Sequence, residues 1–236
     1  NMQTTLDSKG SVEPLLSNLE QSIQLNPCVE VLGEIGVMDP ALTWQISAEI
    51  TLYQTANKLV HFSYRPARVK AKDLSQLYLN HLLLCALCPS DKEVSSLGYY
   101  LNEKDNKLQM VSFNYIDDAK AQLSTILAYY QLSLTKPLLL NSIIADKLFW
   151  KSGKGGGKFI EPEFNQAQLT KLWQDGYNID GLESDPYLHY IWKECPNLQE
   201  FSQGFTDIYR TLYLNLSITE QELNASETST TEVSYE

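Results

Sequence analysis

The sequence predicts an α/β domain built on a small mixed sheet, flanked by helices and extended by further helices at its C-terminal end. Strand-like and helix-like segments alternate over residues 13–136, whereas helical periodicity alone follows over residues 137–216. Hydrophobic residues make up 43% of the 236 residues, enough for a packed core. No apolar run approaches the roughly 20 residues that cross a bilayer, so a soluble chain is predicted.

The elements of the first half follow from their residue patterns. Pro14 and the spacing of the leucines predict a first helix over residues 13–25, after a polar linker over residues 1–12. Alternating apolar residues then predict strands, and Asp117 is suited to cap a helix. In chain order these elements are strands over 29–37, 43–53 and 58–64, a helix over 72–88, strands over 97–103 and 107–115, and a helix over 118–134.

From Pro137 onward the sequence keeps helical periodicity and loses strand patterns. Helices are predicted over 138–150, 165–176, 185–194 and 198–216, with Asn165 and Asp185 as caps. The stretch "KSGKGGGKF" at 151–159 fails the phosphate-loop pattern because Lys158 is followed by phenylalanine. It predicts a mobile loop, or alternatively a loose contact with a DNA backbone. The polar and acidic residues 217–236 predict a flexible tail.

The charge of the chain is unevenly distributed. The net charge is −11, but residues 1–160 hold 15 of the 18 Lys and Arg and 15 of the 29 Asp and Glu. All of the excess negative charge therefore lies in residues 161–236. Residues 58–72 carry five cations and no acid. Guanidinium groups bind phosphates through two hydrogen bonds, and Pro66 stiffens this segment. The predicted DNA-binding residues are Arg65, Arg68, Lys70 and Lys72, although such a cluster is also typical of a solvated surface.

The cysteines and histidines indicate neither a metal site nor a catalytic one. Cys85 and Cys88 form a C-x-x-C on an apolar helix, but no second cysteine pair or histidine pair follows. They are interpreted as buried, reduced thiols, which favours a cytoplasmic protein. The three histidines lie in no recognisable arrangement with serine and acid. We therefore expect no metal and no cofactor.

The segment "YRPARVKAKDLSQLYLNHLLLCAL" at 64–87 resembles the C-terminal domain of the gamma subunit of exodeoxyribonuclease V, the RecC chain of the RecBCD helicase–nuclease. "KPLLLNSIIADKLFW" at 136–150 and "SDPYLHYIW" at 184–192 are similar to later segments of that family, in the same order. The resemblance implies that this chain is a fragment of a much larger subunit. It also implies that residues 13–136 form a restriction-endonuclease-like core, the fold of the D/E-x-K nucleases.

The resemblance further implies that this core has lost its chemistry. Active D/E-x-K nucleases hold divalent ions between an acid on one strand and a D/E-x-K motif on the next. Here Ser63, Tyr64 and Arg65 occupy the motif, and Glu49 stands where the first acid would be. Serine offers no anionic oxygen, and arginine repels a cation. The implied function is non-catalytic: guiding DNA and docking partner subunits in double-strand break repair and recombination.

Two other functions remain open from the sequence. A rearranged metal site could combine Glu49 with Glu30, Glu34 or Asp73 and make the chain an active metal-dependent nuclease. Alternatively, the acidic region 161–216 could serve only as a protein-docking surface. Its aromatic residues would then form the interface, although the same residues could be core: Trp173, Tyr187, Tyr190 and Trp192.

Overall fold

A computed structural model of the protein shows an α/β architecture with helices packed against a mixed sheet. The structure describes residues 21–25, 28–32, 43–47, 50–54, 58–87, 93–102, 107–153, 156–160, 165–174, 176, 180–198, 205–213 and 216–222.

The described strands form one eight-stranded sheet and one two-stranded sheet. They are β1 (Gln21–Leu25), β2 (Cys28–Leu32), β3 (Thr43–Ser47), β4 (Ile50–Gln54), β5 (Lys58–Arg65), β6 (Glu93–Asn102), β7 (Lys107–Asn114), β8 (Trp150–Gly153), β9 (Gly156–Phe159) and β10 (Ser217–Glu222). The large sheet has the order β1-β4-β5-β6-β7-β10-β9-β8, while β2 pairs with β3. Strands β5 and β6 run parallel, and the other neighbouring pairs in the large sheet are antiparallel.

The helices supply the other half of the core. They are α1 (Ala71–Leu87), α2 (Ala119–Thr135), α3 (Ser142–Ile144), α4 (Gln166–Trp173), α5 (Pro186–Ile191) and α6 (Phe205–Tyr213). A π-helical turn, Ala145–Phe149, continues α3, and a 3-10 turn, Leu182–Ser184, precedes α5. Helix α1 connects the parallel strands β5 and β6, as such a pair requires a long crossover. Its leucines Leu74, Leu77 and Leu82 are buried in the core.

Several predicted elements are confirmed. Strands β5, β6 and β7 and helices α1 and α2 lie within a few residues of their predicted positions. Asn165 caps α4 by accepting a hydrogen bond from the Ala167 amide at 2.8 Å. Asp185 caps α5 in the same way, at 2.9 Å from the Tyr187 amide. The cap predicted at Asp117 is wrong, because α2 begins after Asp118, whose carboxylate accepts from the Gln122 side chain instead.

The N-terminal prediction of a helix over 13–25 is wrong for its last five residues. Residues 21–25 form β1, which pairs with β4 from Gln21 opposite Gln54 to Leu25 opposite Ile50. The strand predicted over 43–53 is two strands, β3 and β4, which belong to different sheets. In both places the pairing partner decides the conformation, because β structure depends on neighbouring strands more than on local preference.

The prediction that strands end at residue 137 is also wrong. In the glycine- and lysine-rich stretch, residues 151–153 and 156–159 do not form the predicted mobile loop but belong to β8 and β9, which pair antiparallel. At Gly157 a Cβ atom would lie 2.0 Å from the Trp150 ring, so glycine is needed for the indole to pack there. Strand β10 lies between β7 and β9, so the predicted flexible tail begins instead with a sheet strand. Residues 223–236 lie outside the described residues.

A buried polar cluster joins α1 to the sheet. Nε2 of His81 lies 2.7 Å from the Asn114 carbonyl oxygen, and Nδ1 lies 2.9 Å from Oγ of Ser96. A carbonyl only accepts, so Nε2 donates its proton and Nδ1 accepts from the serine hydroxyl. Burial lowers the pKa of His81, against the effect of the Asn114 carbonyl, and burial also lowers the pKa of His61. These histidines therefore serve the fold in their neutral form.

Acidification should destabilise the protein through these two histidines. Their pKa values are lower in the folded chain than the value of about 6.5 in the unfolded chain, so the unfolded chain binds protons first. The stabilisation is present above about pH 6.5 and is lost as the pH falls toward the folded pKa values. Urea unfolding at a series of pH values should show the free energy of unfolding decrease between about pH 7.5 and pH 5.

His81→Gln should reduce the dependence of this unfolding free energy on pH, whereas the same change at the exposed His189 serves as the control. An unfolding free energy of the His81 variant that follows pH as steeply as the wild-type value would contradict this account.

Candidate nucleic-acid interface at the end of strand β5

The candidate interface lies where β5 ends and α1 begins. Side chains alternate along a strand, so Ser63 and Arg65 share one face of the sheet and Tyr64 lies on the other. Arg65 contacts Asp73 of α1, which identifies their face as the one that α1 covers. Tyr64 packs instead against Phe62, with ring centroids 5.7 Å apart. The predicted motif residues Ser63 and Arg65 are thus brought together beneath the first turn of α1.

Arg65 is held by an internal ion pair. Its Nη2 lies 2.8 Å from Oδ2 of Asp73 and 2.6 Å from the carbonyl oxygen of Arg68. The side chains of Arg65 and Asp73 are only 32% and 16% exposed, so water screens this pair poorly. The Nε of Arg65 is buried and makes no hydrogen bond with the described residues. Arg65 therefore joins the end of β5 to the segment that leads into α1.

Two carboxylates fix the start of α1. Oδ2 of Asp73 accepts from the Lys70 amide at 2.9 Å, while the Lys70 carbonyl accepts from the Asp73 amide at 2.9 Å. This reciprocal arrangement satisfies amides that the first turn of a helix leaves without partners. Oδ1 of Asp146 accepts from the Ala71 amide at 2.8 Å, although it lies 75 residues away. The first turn of α1 is therefore positioned from two directions.

Burial and the neighbouring charges act on the Asp146 carboxyl in opposite directions. Burial raises the pKa of the Asp146 carboxyl, and the nearby Asp73 acts in the same direction. The Ala71 amide and the Lys70 ammonium group act in the opposite direction. The two carboxylates are thus offset by the charges of Arg65 and Lys70.

The remaining predicted cations lie on the surface. Arg68, Lys70 and Lys72 are exposed, and they follow one another at every second position around the start of α1. The backbone that carries them is held at Val69, whose amide donates to Oε1 of Gln109 at 3.0 Å in the interior. Of the four predicted DNA-binding residues, three are exposed, while Arg65 is held in the ion pair with Asp73. We call Arg68, Lys70 and Lys72 the cationic surface.

Tyr100 occupies the space beside Ser63 and Arg65. Gly98 pairs with Ser63 across β5 and β6, and a Cβ there would lie 2.9 Å from the Tyr100 ring. Burial raises the pKa of Tyr100 to about 12, with Asp73 acting in the same direction and Ser63 and Arg65 against it. Ser63 lies close to the Tyr100 hydroxyl, but the two do not meet the geometry of a full hydrogen bond. An aromatic ring and a guanidinium therefore fill this end of β5.

The site includes residues that the sequence analysis did not single out: Tyr100, Gln109 and Asp146. Gln109 lies 40 residues from Val69 and Asp146 lies 75 residues from Ala71. No motif spacing connects such pairs. Strand alternation could have placed Tyr100 near Arg65 only if the parallel pairing of β5 with β6 had been known.

The alternative metal site combines residues inside and outside the described structure. Glu34 and Glu49 lie outside the described residues, as does Cys88 of the C-x-x-C. Glu30 lies on β2, in the two-stranded sheet, and Asp73 is paired with Arg65. Over the part of the chain that the structure describes, no three His, Cys, Asp or Glu residues form a group that could hold a metal ion.

The aromatic residues of the predicted docking region divide into two groups. Trp173 is only 1% exposed and belongs to the core, and the half-buried Trp192 packs against that core. Tyr187 and Tyr190 are each 80% exposed. The prediction of an interface therefore remains open for the two tyrosines, whereas Trp173 is unavailable to a partner.

Comparison with known proteins identifies a family. The model of a family described as the RecC C-terminal domain matches residues 9–147, which is more than half of the chain. No curated protein and no solved structure matches the chain. Among the described helices, none has both the length and the apolar character of a membrane span.

Proposed function

The chain belongs to the RecC C-terminal domain family, and from that premise we propose that it is a non-catalytic domain that guides DNA and docks partner subunits. The family indicates a role in the RecBCD helicase–nuclease and in DNA repair and recombination. The observation that carries the DNA-guiding role is the cationic surface, held in place by the Arg65–Asp73 ion pair and by Asp146.

The cationic surface is suited to contact a DNA backbone. Each cation that neutralises a phosphate releases counterions, which supplies affinity without reading the base sequence. A fixed backbone reduces the entropy lost when the surface binds, and here Gln109, Asp73 and Asp146 fix the backbone from the interior. The surface would thus hold a strand in a defined position while allowing it to slide.

The end of β5 supports the non-catalytic part of the proposal. Hydrolysis by a D/E-x-K nuclease requires carboxylate oxygens that hold a divalent ion and activate a water molecule. Ser63 and Arg65 offer a hydroxyl and a guanidinium instead, and the buried Tyr100 ring lies beside them. Asp73 and Asp146 already accept hydrogen bonds from backbone amides of α1, and Asp73 also pairs with Arg65. Those interactions compete with coordination of a metal.

Replacing the cationic surface should weaken DNA binding and its dependence on salt. We expect the variant Arg68→Ala/Lys70→Ala/Lys72→Ala to bind an oligonucleotide at least about tenfold more weakly at about 50 mM salt. The slope of log affinity against log salt concentration should decrease in magnitude by about 2–3, because each lost phosphate contact contributes about 0.7–0.9. Fluorescence anisotropy over a salt series measures both quantities.

The matched control is Lys120→Ala/Lys136→Ala/Lys171→Ala, which removes the same charge from exposed positions elsewhere and should retain the wild-type salt slope. Equal losses in the two variants would mean that net charge alone explains the binding.

The same samples, incubated with DNA and Mg²⁺ or Mn²⁺, test the rival function of an active metal-dependent nuclease. Metal-dependent cleavage that disappears in Asp73→Asn would show an active nuclease and refute the non-catalytic proposal.

A further inference from the structure

Helix α5 presents two unlike faces. Leu188 and Trp192, four residues apart, pack against the core. Another face carries Tyr187, Tyr190 and Ile191, which are spaced to lie side by side on a helix. Tyr187 and Tyr190 are each 80% exposed, and Ile191 is 48% exposed. Single exposed apolar residues are common on protein surfaces, but three adjacent ones form a patch of the kind found at interaction sites.

The sequence around this patch is acidic. Residues 180–198 contain four acids and one cation, Lys193, which gives a formal charge of −3 (1 − 4) with histidine neutral. The four acids are Asp180, Glu183, Asp185 and Glu194. We call Tyr187, Tyr190 and Ile191 with these four acids the acidic tyrosine surface. Nζ of Lys193 lies 5.5 Å from the centroid of the Tyr190 ring, so one tyrosine already receives a cation on its face.

The acidic tyrosine surface is held in a fixed conformation. Oδ1 of Asp185 accepts from the amides of Tyr187 and Leu188 at 2.9 and 3.2 Å, and Pro186 occupies the first turn of α5. Leu182, in the preceding 3-10 turn, is buried in the core. Tyrosine itself has few rotatable bonds, so a partner that binds here orders little additional chain.

We propose that the acidic tyrosine surface is the docking site for a basic segment of a partner protein. Arginine or lysine side chains of the partner would stack on the rings of Tyr187 and Tyr190 and pair with the surrounding carboxylates. Ile191 would add apolar contact between the two rings and the rim. The inference rests on the proposed function for the identity of the partner, which is another subunit of the helicase–nuclease.

The charges argue against two other occupants. Aromatic side chains can stack on nucleic-acid bases, but in known strand-binding grooves several cations accompany the rings and attract phosphates. Here the segment that carries the rings, residues 180–198, has a formal charge of −3, which disfavours phosphates. A second copy of this chain would bring the same negative charge against itself, and like charges across an interface are unfavourable.

The test compares a variant of the tyrosines with a matched variant elsewhere. The probe is each purified partner subunit of the helicase–nuclease, titrated with the full chain at about 50 and about 300 mM salt. We expect Tyr187→Ser/Tyr190→Ser to bind its partner at least about tenfold more weakly. Asp180→Lys/Glu194→Lys should also bind more weakly, and its affinity should depend less on salt than that of the wild type. Tyr130→Ser/Leu134→Ser, which removes two exposed apolar side chains of α2, should bind as the wild type does.

Each outcome supports or overturns the proposal. Thermal unfolding should show all variants folded, since the changed side chains are exposed. Unchanged affinity of the tyrosine variant, an equal loss in the α2 variant, or no binding by any partner subunit would overturn it.

The tyrosine variant should keep its affinity for an oligonucleotide. If it loses that affinity and keeps partner binding, the tyrosines stack on bases and the docking proposal is overturned. The cationic-surface variant should show the reverse pattern, which separates failure of this inference from failure of the proposed DNA-guiding function.

Discussion

Asp73→Ala is expected to lower the free energy of unfolding by about 3 kcal/mol. The change removes the acceptor for the Lys70 amide at the start of α1, which costs about 1 kcal/mol for a lost helix cap. It also leaves Arg65 mostly buried without its carboxylate, which costs about 2 kcal/mol once its partial exposure to water is taken into account. Urea unfolding at neutral pH measures the sum.

Two further variants separate these contributions. Asp73→Asn keeps an oxygen that can accept from the Lys70 amide but removes the negative charge, so it should be less destabilising than alanine. Arg65→Met combined with Asp73→Asn removes both charges and should recover part of the loss, because an apolar side chain replaces the buried guanidinium. Equal stability of Asp73→Ala and the wild type would show that the ion pair and the cap contribute nothing.

The same variants decide how Arg65 acts on DNA. If Arg65 does not touch DNA, the folded double variant Arg65→Met/Asp73→Asn should bind DNA within about twofold of the wild type, because it leaves the net charge unchanged and keeps an acceptor for the Lys70 amide. If it binds at least about tenfold more weakly while stability and the Arg68 segment are preserved, Arg65 contacts a phosphate as the sequence predicts. Either result decides whether Arg65 belongs with Arg68, Lys70 and Lys72 among the residues that contact DNA.

Trp173→Ala is expected to lower the free energy of unfolding by about 3–5 kcal/mol, the range for deletion of a buried aromatic side chain. Trp173 ends α4 and is 1% exposed, in a core shared with Leu169 and Leu182. The chain also folds tightly against it, since a Cβ at Gly181 would lie 2.3 Å from the Trp173 carbonyl oxygen. Alanine would leave a cavity in this core. Chemical unfolding monitored by circular dichroism measures the loss.

Tyr187→Ala is the matched control, because this aromatic residue of the same region is 80% exposed. Its effect on stability should be below about 0.5 kcal/mol. A Trp173→Ala variant that kept wild-type stability and lost affinity for a partner subunit would show that Trp173 belongs to the predicted interface and not to the core.

The sequence predicted the fold best where local patterns and tertiary structure agree. Strand β5, helix α1 and strands β6 and β7 combine clear periodicity with apolar residues that are buried in the structure. It failed where strand identity depends on a distant partner. Residues 217–222, "SITEQE", have almost no apolar alternation and become a strand by pairing with β7 and β9. The glycines of β9 likewise predict a mobile loop when the sequence is considered alone. In the structure they form a strand, because the Trp150 ring packs over Gly157.

The sequence by itself determined the family and the position of a cation-rich segment between a strand and a helix, because both are properties of residue order. Only the tertiary structure decided which of those cations face solvent. Asp73 holds the Arg65 guanidinium in an ion pair that is mostly buried. Asp146 accepts a hydrogen bond from the Ala71 amide at the start of α1, although the two residues are 75 positions apart. The strength of an ion pair and the satisfaction of a backbone amide depend on distances of a few ångströms between groups far apart in the chain, and the order of residues does not contain those distances.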